Sequence, residues 1–148
     1  MSWVRIWIHI VFSTKNWEPY FHSRELRLAV FQHIKQNARE KDIWLDCVNG
    51  YHEHAHCLIA LDKDQPLSKI VQLIKGESSH WINKHKLTSN KFVKFAWQND
   101  YWAVGVSESH MKKVRNYIHN QAKHHKSQSF IDEMNAFSRK YGWKLSKE

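Results

Sequence analysis

Near its start the chain reads Val4-Arg-Ile-Trp-Ile-His-Ile-Val-Phe12. Successive side chains of a strand point to opposite faces, so one face of this segment is entirely apolar. Arg5, Trp7 and His9 take the other face. A period of two sustained over this length predicts a β-strand whose apolar face lies on the core.

The next segments alternate between helical and extended patterns. Ser23 is suited to cap a helix from Arg24 to Lys41, in which apolar residues recur every four positions. Residues 43–48 predict a second strand, closed by the turn residues Asn49-Gly50. Residues 54–61 predict a third strand, which we expect to be antiparallel to the second because the connection is short.

The second half of the chain continues this order. Pro66 suits the first turn of a second helix, and residues 91–98 and 102–106 read as further strand or hairpin. A third helix is expected from Ser107 to about Lys123, and a last one between Ser129 and Gly142.

The resulting order is β-α-β-β-α-β-α-α. It predicts an α+β fold, a ferredoxin-like (split βαβ) antiparallel sheet with helices on one face and additional C-terminal helices beyond that core. The chain has 148 residues, so we expect one domain over residues 1–148.

Charge indicates the class of partner. The chain has 23 Lys and Arg against 14 Asp and Glu, a formal net charge of +9. Nucleic acid, an anionic membrane surface or another polyanion are all compatible with this charge. The chain also has 8 tryptophans, and aromatic rings among basic side chains suit a single strand, whose bases stack while Lys and Arg meet the phosphates.

Location is predicted from what the sequence lacks. No apolar run is long enough to span a bilayer, and the first residues do not have the zones of a signal peptide. Cys47 and Cys57 do not have the spacing of a zinc knuckle or a redox pair, and we expect both to be buried, reduced thiols. These features predict a cytoplasmic protein without membrane contact.

His54-Ala55-His56 is the first candidate site. On a strand the two histidines face the same side, roughly 6–7 Å apart at the backbone. Their ring nitrogens can converge on one divalent metal, while Ala55 and Cys57 face the core behind them. The alternative is a pair of surface histidines in a chain that has 12 of them.

Tyr117 and Gln121 form the second candidate site. On a helix, residues four apart share a face, so a phenol and a carboxamide would lie on adjacent turns. Val114, Ile118 and Ala122 would form the apolar face that docks this helix. Two strand imidazoles and one helix amide oxygen would make a metal site with open positions, better suited to Mn²⁺ or Mg²⁺ than to structural zinc. The alternative is a structural tyrosine at a helix–sheet junction.

These motifs resemble a known family. A His-x-His strand followed by Tyr117-Ile-His-Asn-Gln121 is similar to the single-tyrosine HUH transposases of the insertion-sequence 200/605 type. Phe95-Ala-Trp-Gln98 and residues 101–107 also resemble that family, and the likeness extends to about Phe137. Ala55 stands where the family more often has a bulkier apolar residue, and the tail after Phe137 has no assignment.

The resemblance implies an enzyme that cleaves and rejoins single-stranded DNA. Tyr117 would be the nucleophile that forms a 5′-phosphotyrosine, and His54, His56 and Gln121 would hold Mg²⁺ or Mn²⁺. The family works as homodimers that recognise hairpins at element ends. The resemblance also implies a protein of bacterial type whose DNA substrate lies in the nucleoid. Basic side chains that would contact DNA are Lys75, Lys112, Lys113 and Arg115. No carboxylate base is evident, because Glu53 is expected to point away from His54.

Three alternatives remain compatible with the sequence. One is a domesticated, repeat-associated relative that processes chromosomal hairpins by the same chemistry. Another is a non-catalytic module that binds single-stranded nucleic acid, since RNA-recognition domains also use a ferredoxin-like sheet. The third is a metal-dependent nuclease that forms no covalent intermediate.

Overall fold

The computed structural model describes residues 1–88 and 93–144. Its regular elements are, in chain order, β1 (Ile6–Ser13), α1 (Arg24–Glu40), β2 (Trp44–Gly50), β3 (His54–Leu61), α2 (Leu67–Lys84), β4 (Trp102–Val106), α3 (Met111–His119), α4 (Gln121–His124) and α5 (Phe130–Tyr141). Short 3₁₀ turns at Lys15–Trp17 and Glu108–His110 connect these elements.

The four strands form one antiparallel sheet in the order β2-β3-β1-β4. Strand β1 is therefore central, with Ile10 opposite Cys57 of β3 and Ala103 of β4. Two β-α-β units with the first and third strands adjacent are the split βαβ arrangement, so the predicted α+β fold is confirmed.

Helices cover both faces of the sheet. Helices α1 and α2 pack on the face formed by Ile10, Phe12 and Ile59, which is the main core. Helices α3 and α5 pack on the opposite face, against Leu58 and Val11 among others. The C-terminal helices therefore bury the side of β1 and β3 that the alternation alone presents as polar.

The connection between β2 and β3 differs from the prediction. Asn49 and Gly50 are not the turn but the last residues of β2, and the turn is formed by residues 51–53. The Asn49 side chain contacts α3 instead: its Nδ2 donates to the carbonyls of Ile118 (3.0 Å) and His119 (3.2 Å) at the end of that helix. The last carbonyls of a helix lack their usual donors four residues on, and Asn49 supplies donors to two of them.

The predicted third helix is also divided. A 3₁₀ turn precedes α3, and the chain leaves helical geometry at Asn120 before resuming as α4. Ala122 is consequently exposed, whereas Val114 and Ile118 pack against the sheet as expected. The last helix is as predicted, with Ser129 accepting a hydrogen bond from the Asp132 amide and Gly142 ending the helix at φ 72°.

Of the predicted strand at 91–98, Lys91 and Phe92 lie outside the described residues. The described remainder of this segment, residues 93–98, forms no regular strand, and Trp97 makes an isolated bridge with Thr14. Cys47 and Cys57 are buried free thiols, as expected, and burial raises the pKa of Cys47 to about 12. Within residues 1–88 and 93–144, no helix combines the length and apolar character needed to cross a bilayer.

Two glycines provide a test of the β2–β3 connection. A Cβ at Gly50 would lie 2.0 Å from the His54 carbonyl oxygen, whereas a Cβ at Gly76 in α2 meets nothing within 4 Å. We expect Gly50→Ala to lower the free energy of unfolding by about 1–3 kcal/mol, because the backbone at His54 must move to make room for the Cβ. Gly76→Ala should raise the same free energy by about 0.5–1 kcal/mol, because alanine loses less backbone entropy in a helix.

Urea denaturation of both variants beside the unsubstituted protein measures these changes. A Gly50→Ala protein as stable as its parent would contradict the close approach of Gly50 to His54.

Candidate metal and tyrosine site

The two strand histidines share one face of β3, as predicted, but that face is not a surface. His54 and His56 are both fully buried beneath the C-terminal helices, with ring centroids 5.1 Å apart. Nε2 of His54 lies 2.9 Å from Oε1 of Gln121, and Nε2 of His56 lies 3.1 Å from Oε1 of Glu133. The two imidazoles therefore face the same enclosed space between the sheet, α4 and α5.

Glu133 is the functional residue that the sequence analysis missed. Its side chain is buried on α5, and Oε1 is within 3.4 Å of Nε2 of both histidines. Its Oε2 accepts hydrogen bonds from Nε2 of Gln121 (3.2 Å) and from the Tyr117 hydroxyl. A signal for it exists in the sequence, because Glu133 lies on the helical stripe formed by Phe130, Met134 and Phe137, where a carboxylate is out of place.

The other nitrogen of each histidine is held by a second partner. Nδ1 of His54 lies 2.7 Å from Oε1 of Glu53, and Nδ1 of His56 lies 2.9 Å from Nε2 of His9. The expectation that Glu53 points away was wrong, because β3 begins only at His54 and Glu53 belongs to the preceding turn. Partners of this kind fix the tautomer and the ring orientation of metal-binding histidines.

These contacts determine which nitrogens carry lone pairs. Burial, reinforced by His56, lowers the pKa of His9 to about 3, so His9 is neutral and its Nε2 can accept the Nδ1–H of His56. Burial alone would raise the pKa of Glu53, but its hydrogen bond to His54 outweighs this and lowers it. Glu53 is therefore an ionised acceptor for the Nδ1–H of His54. Because Nδ1 of each ring is engaged by these partners, Nε2 is the nitrogen of each ring that faces the site.

The enclosed space is therefore lined by nitrogen and oxygen atoms that can act as metal ligands. The Gln121 amide donates through Nε2 to Glu133, which leaves its Oε1 toward His54. One atom each from His54, His56 and Glu133 lies within 4.8 Å of the others. Acceptors facing one another at these distances require a proton or a cation between them. Two imidazoles, an amide oxygen and a carboxylate suit a divalent cation such as Mn²⁺ or Mg²⁺.

Tyr117 reaches the same cluster although the helix is broken at Asn120. Its hydroxyl donates to Glu133 and lies 3.5 Å from Nε2 of His124, and its ring meets that of His56 edge-on at 5.7 Å. Burial and the charge of Glu133 raise the pKa of Tyr117, so the phenol is protonated. The structure therefore brings together all four predicted site residues, His54, His56, Tyr117 and Gln121, within one chain.

His125 completes the wall of the site. Its Nε2 lies 3.0 Å from Oε1 of Gln121, and its Nδ1 lies 2.8 Å from the Gln128 carbonyl oxygen. Burial alone would lower the pKa of His125, but its contact with Glu133 outweighs this effect and raises it. Tyr51, in the β2–β3 turn, stacks on His125 at 5.4 Å.

The basic residues predicted to contact DNA have different surroundings. Nζ of Lys75, on α2 across the sheet, donates to the carbonyls of residues 98, 99 and 100 at 2.5–3.3 Å. Arg115 forms a bidentate pair with Asp46 of β2 (2.7 and 3.0 Å), which ties α3 to the sheet. Lys112 and Lys113 are exposed on α3. A DNA contact by any of the four stays a prediction.

Comparison with known proteins gives a matching family and two solved structures with a similar fold. Residues 2–121 match the family model described as "Transposase IS200 like". The fold is similar to the crystal structure of a candidate transposase from Deinococcus radiodurans R1, with TM-score 0.63, 18% identity, and coverage of 81% of this chain and 93% of that one. It is also similar to a REP-associated tyrosine transposase bound to a REP hairpin, with TM-score 0.54, 19% identity, and coverage of 84% and 71%. No curated protein matches the chain.

The Glu53–His54 contact predicts an effect on metal affinity. Glu53→Gln removes the charged partner that orients His54, so we expect Mn²⁺ to bind about ten- to a hundredfold more weakly. Glu77→Gln is a matched control, because Glu77 holds His33 at 2.8 Å on the outer side of α1 and α2. Titration calorimetry with Mn²⁺ measures both. Equal affinities of Glu53→Gln and the parent protein would contradict the orienting role of Glu53.

Proposed function

Because the chain belongs to the IS200-like transposase family, we propose that it cleaves and rejoins single-stranded DNA through a 5′-phosphotyrosine. The observation that supports this most is the meeting of a tyrosine hydroxyl with two histidines, an amide and a carboxylate in one buried cluster. Neither a recognition module nor a structural tyrosine needs that convergence.

Tyr117 is the nucleophile in this proposal. Its phenol oxygen attacks the backbone phosphorus and forms a tyrosyl–phosphate bond, while the bond from phosphorus to the 3′ oxygen breaks. The leaving 3′ oxygen takes up a proton and becomes a hydroxyl. The phenol loses its proton as it attacks, and Glu133, which already accepts its hydrogen bond, is placed to receive it. Attack by a 3′ hydroxyl on the same phosphorus reverses these changes and rejoins the strand.

The remaining site residues prepare the phosphate for attack. We assign His54, His56 and Gln121 as the residues that hold Mg²⁺ or Mn²⁺. Such an ion would polarise the scissile phosphate and offset the charge of the transition state. His9 and Glu53 keep the two rings turned toward the site, so the donors need little rearrangement when substrate binds.

The partner in this proposal is single-stranded DNA with hairpin ends. Support comes from the formal charge of +9 and from the similar fold of the REP-associated transposase, which was solved with a REP hairpin. Lys112 and Lys113 are exposed on the helix that carries Tyr117, where they can meet phosphates. The homodimer remains part of the proposal, with two chains that each carry a full set of site residues.

The likeness to the REP-associated enzyme also favours a second candidate function. In this alternative the chain processes hairpins of the chromosome by the same chemistry instead of mobilising an element. Terminal hairpins on both sides of the gene favour the transposase, and hairpins scattered elsewhere in the genome favour the alternative.

A covalent-adduct experiment tests the chemistry. The protein is mixed with Mn²⁺ and end-labelled oligonucleotides that carry the hairpins flanking its gene, and the products are separated on a denaturing gel. We expect the parent protein to give a labelled protein–DNA band and Tyr117→Phe to give none, because only the hydroxyl is missing. Tyr20→Phe, which alters a tyrosine packed on the opposite face of the sheet, should keep the band.

Two results would contradict the proposal. A band of normal intensity from Tyr117→Phe would assign the nucleophile to another residue. Efficient cutting by Tyr117→Phe without a band would identify a nuclease that forms no covalent intermediate.

His56→Ala should lose the band while it retains much of the hairpin binding.

A further inference from the structure

A groove runs from the protein surface to Tyr117. It has a volume of about 540 Å³ and lies between the end of β4, helix α3 and helix α5. Val106 and Lys113 contribute to one side, and Phe137, Lys140 and Tyr141 contribute to the other. Tyr117, which we propose as the nucleophile, is one of the residues that line this groove.

The charge of the groove suits a polyanion. Lys113 on α3 and Lys140 on α5 are exposed, and both line the groove. Among the described residues that line the groove, none is acidic. Two ammonium groups on two helices that line one groove can contact phosphates of the same strand.

The wall formed by α5 also carries aromatic rings. Tyr141 is 37% exposed, and its ring stacks against Phe137 at 5.9 Å with an interplanar angle of 22°. Nζ of Lys140 lies 5.2 Å from the centroid of the Tyr141 ring. Bases of any sequence stack on such rings, and this combination with a basic groove is typical of sites for single-stranded nucleic acid.

We propose that this groove binds the single-stranded DNA segment adjacent to the phosphate that Tyr117 attacks. Lys113 and Lys140 contact its phosphates, and Tyr141 stacks on one of its bases. This inference rests on the proposed function and adds to it a path for the substrate. Lys140 and Tyr141 lie beyond residues 2–121, the part that matches the family model, so this path uses the chain's own C-terminal helix.

Binding measurements without cleavage test this path. In a Tyr117→Phe background, fluorescence anisotropy follows a labelled 12-nucleotide oligothymidine at several salt concentrations. We expect Lys113→Ala/Lys140→Ala to weaken binding by about tenfold at low salt and to reduce the slope of log K against log salt by about 1.4, since each phosphate contact on a single strand contributes about 0.7. Tyr141→Ala should weaken binding about fivefold or more, through lost stacking.

A control pair of lysine substitutions distinguishes a local contact in the groove from a general effect of net charge. Lys41→Ala/Lys63→Ala removes the same charge from exposed positions at the far ends of α1 and β3, and should leave affinity and slope unchanged from the Tyr117→Phe parent.

Three outcomes would overturn the inference. They are equal effects of the two lysine pairs, no binding of the oligonucleotide by the parent, and equal binding of a duplex of the same length. If the covalent band forms with unsubstituted protein while the groove variants bind normally, the path is wrong and the proposed function stands.

Discussion

The carboxylate of Glu133 is the constraint on which the site depends. An ionised carboxylate buried without compensation costs several kcal/mol, yet Glu133 is only 2% exposed. Burial alone would raise its pKa, but His56 and His125 around it outweigh that effect and hold the pKa below the usual value. The same negative charge accepts the hydrogen bond of Tyr117 and orients the amide of Gln121. A divalent cation beside it would balance this charge and also satisfy the lone pairs of both histidines.

The fold provides this arrangement because its sheet is covered on both faces. Alternation along β3 sends Ala55 and Cys57 into the main core, so the strand that carries His54 and His56 is fixed from behind. On the other face, Asn49 and Asp46 of β2 bind the end and the middle of α3, which sets the position of Tyr117. Helix α5 then closes the cluster with Glu133. The side chains of His54, His56 and Tyr117 are therefore held by elements that also have contacts outside the site.

Much of this follows from the sequence, and the exceptions have physical causes. Period-two and helical patterns are local, so they located the four strands, the sharing of one face by His54 and His56, and the caps of α5. The break at Asn120 coincides with a tertiary contact from Asn49 to the end of α3, which no local pattern contains. Glu133 was missed because a lone glutamate in a helix is usually solvated, and its burial is decided by what α5 packs against. Glu53 was misplaced because the beginning of β3 determines its direction.

The most direct test of the central claim is the position of a bound metal ion. Crystals of the full chain soaked in Mn²⁺ give an anomalous difference map in which manganese is identified by its own scattering. The account predicts one strong peak enclosed by Nε2 of His54, Nε2 of His56, Oε1 of Gln121 and the Glu133 carboxylate, with the Tyr117 hydroxyl beside it. Absence of a peak there at saturating Mn²⁺, or a peak that the two imidazoles do not share, would contradict it.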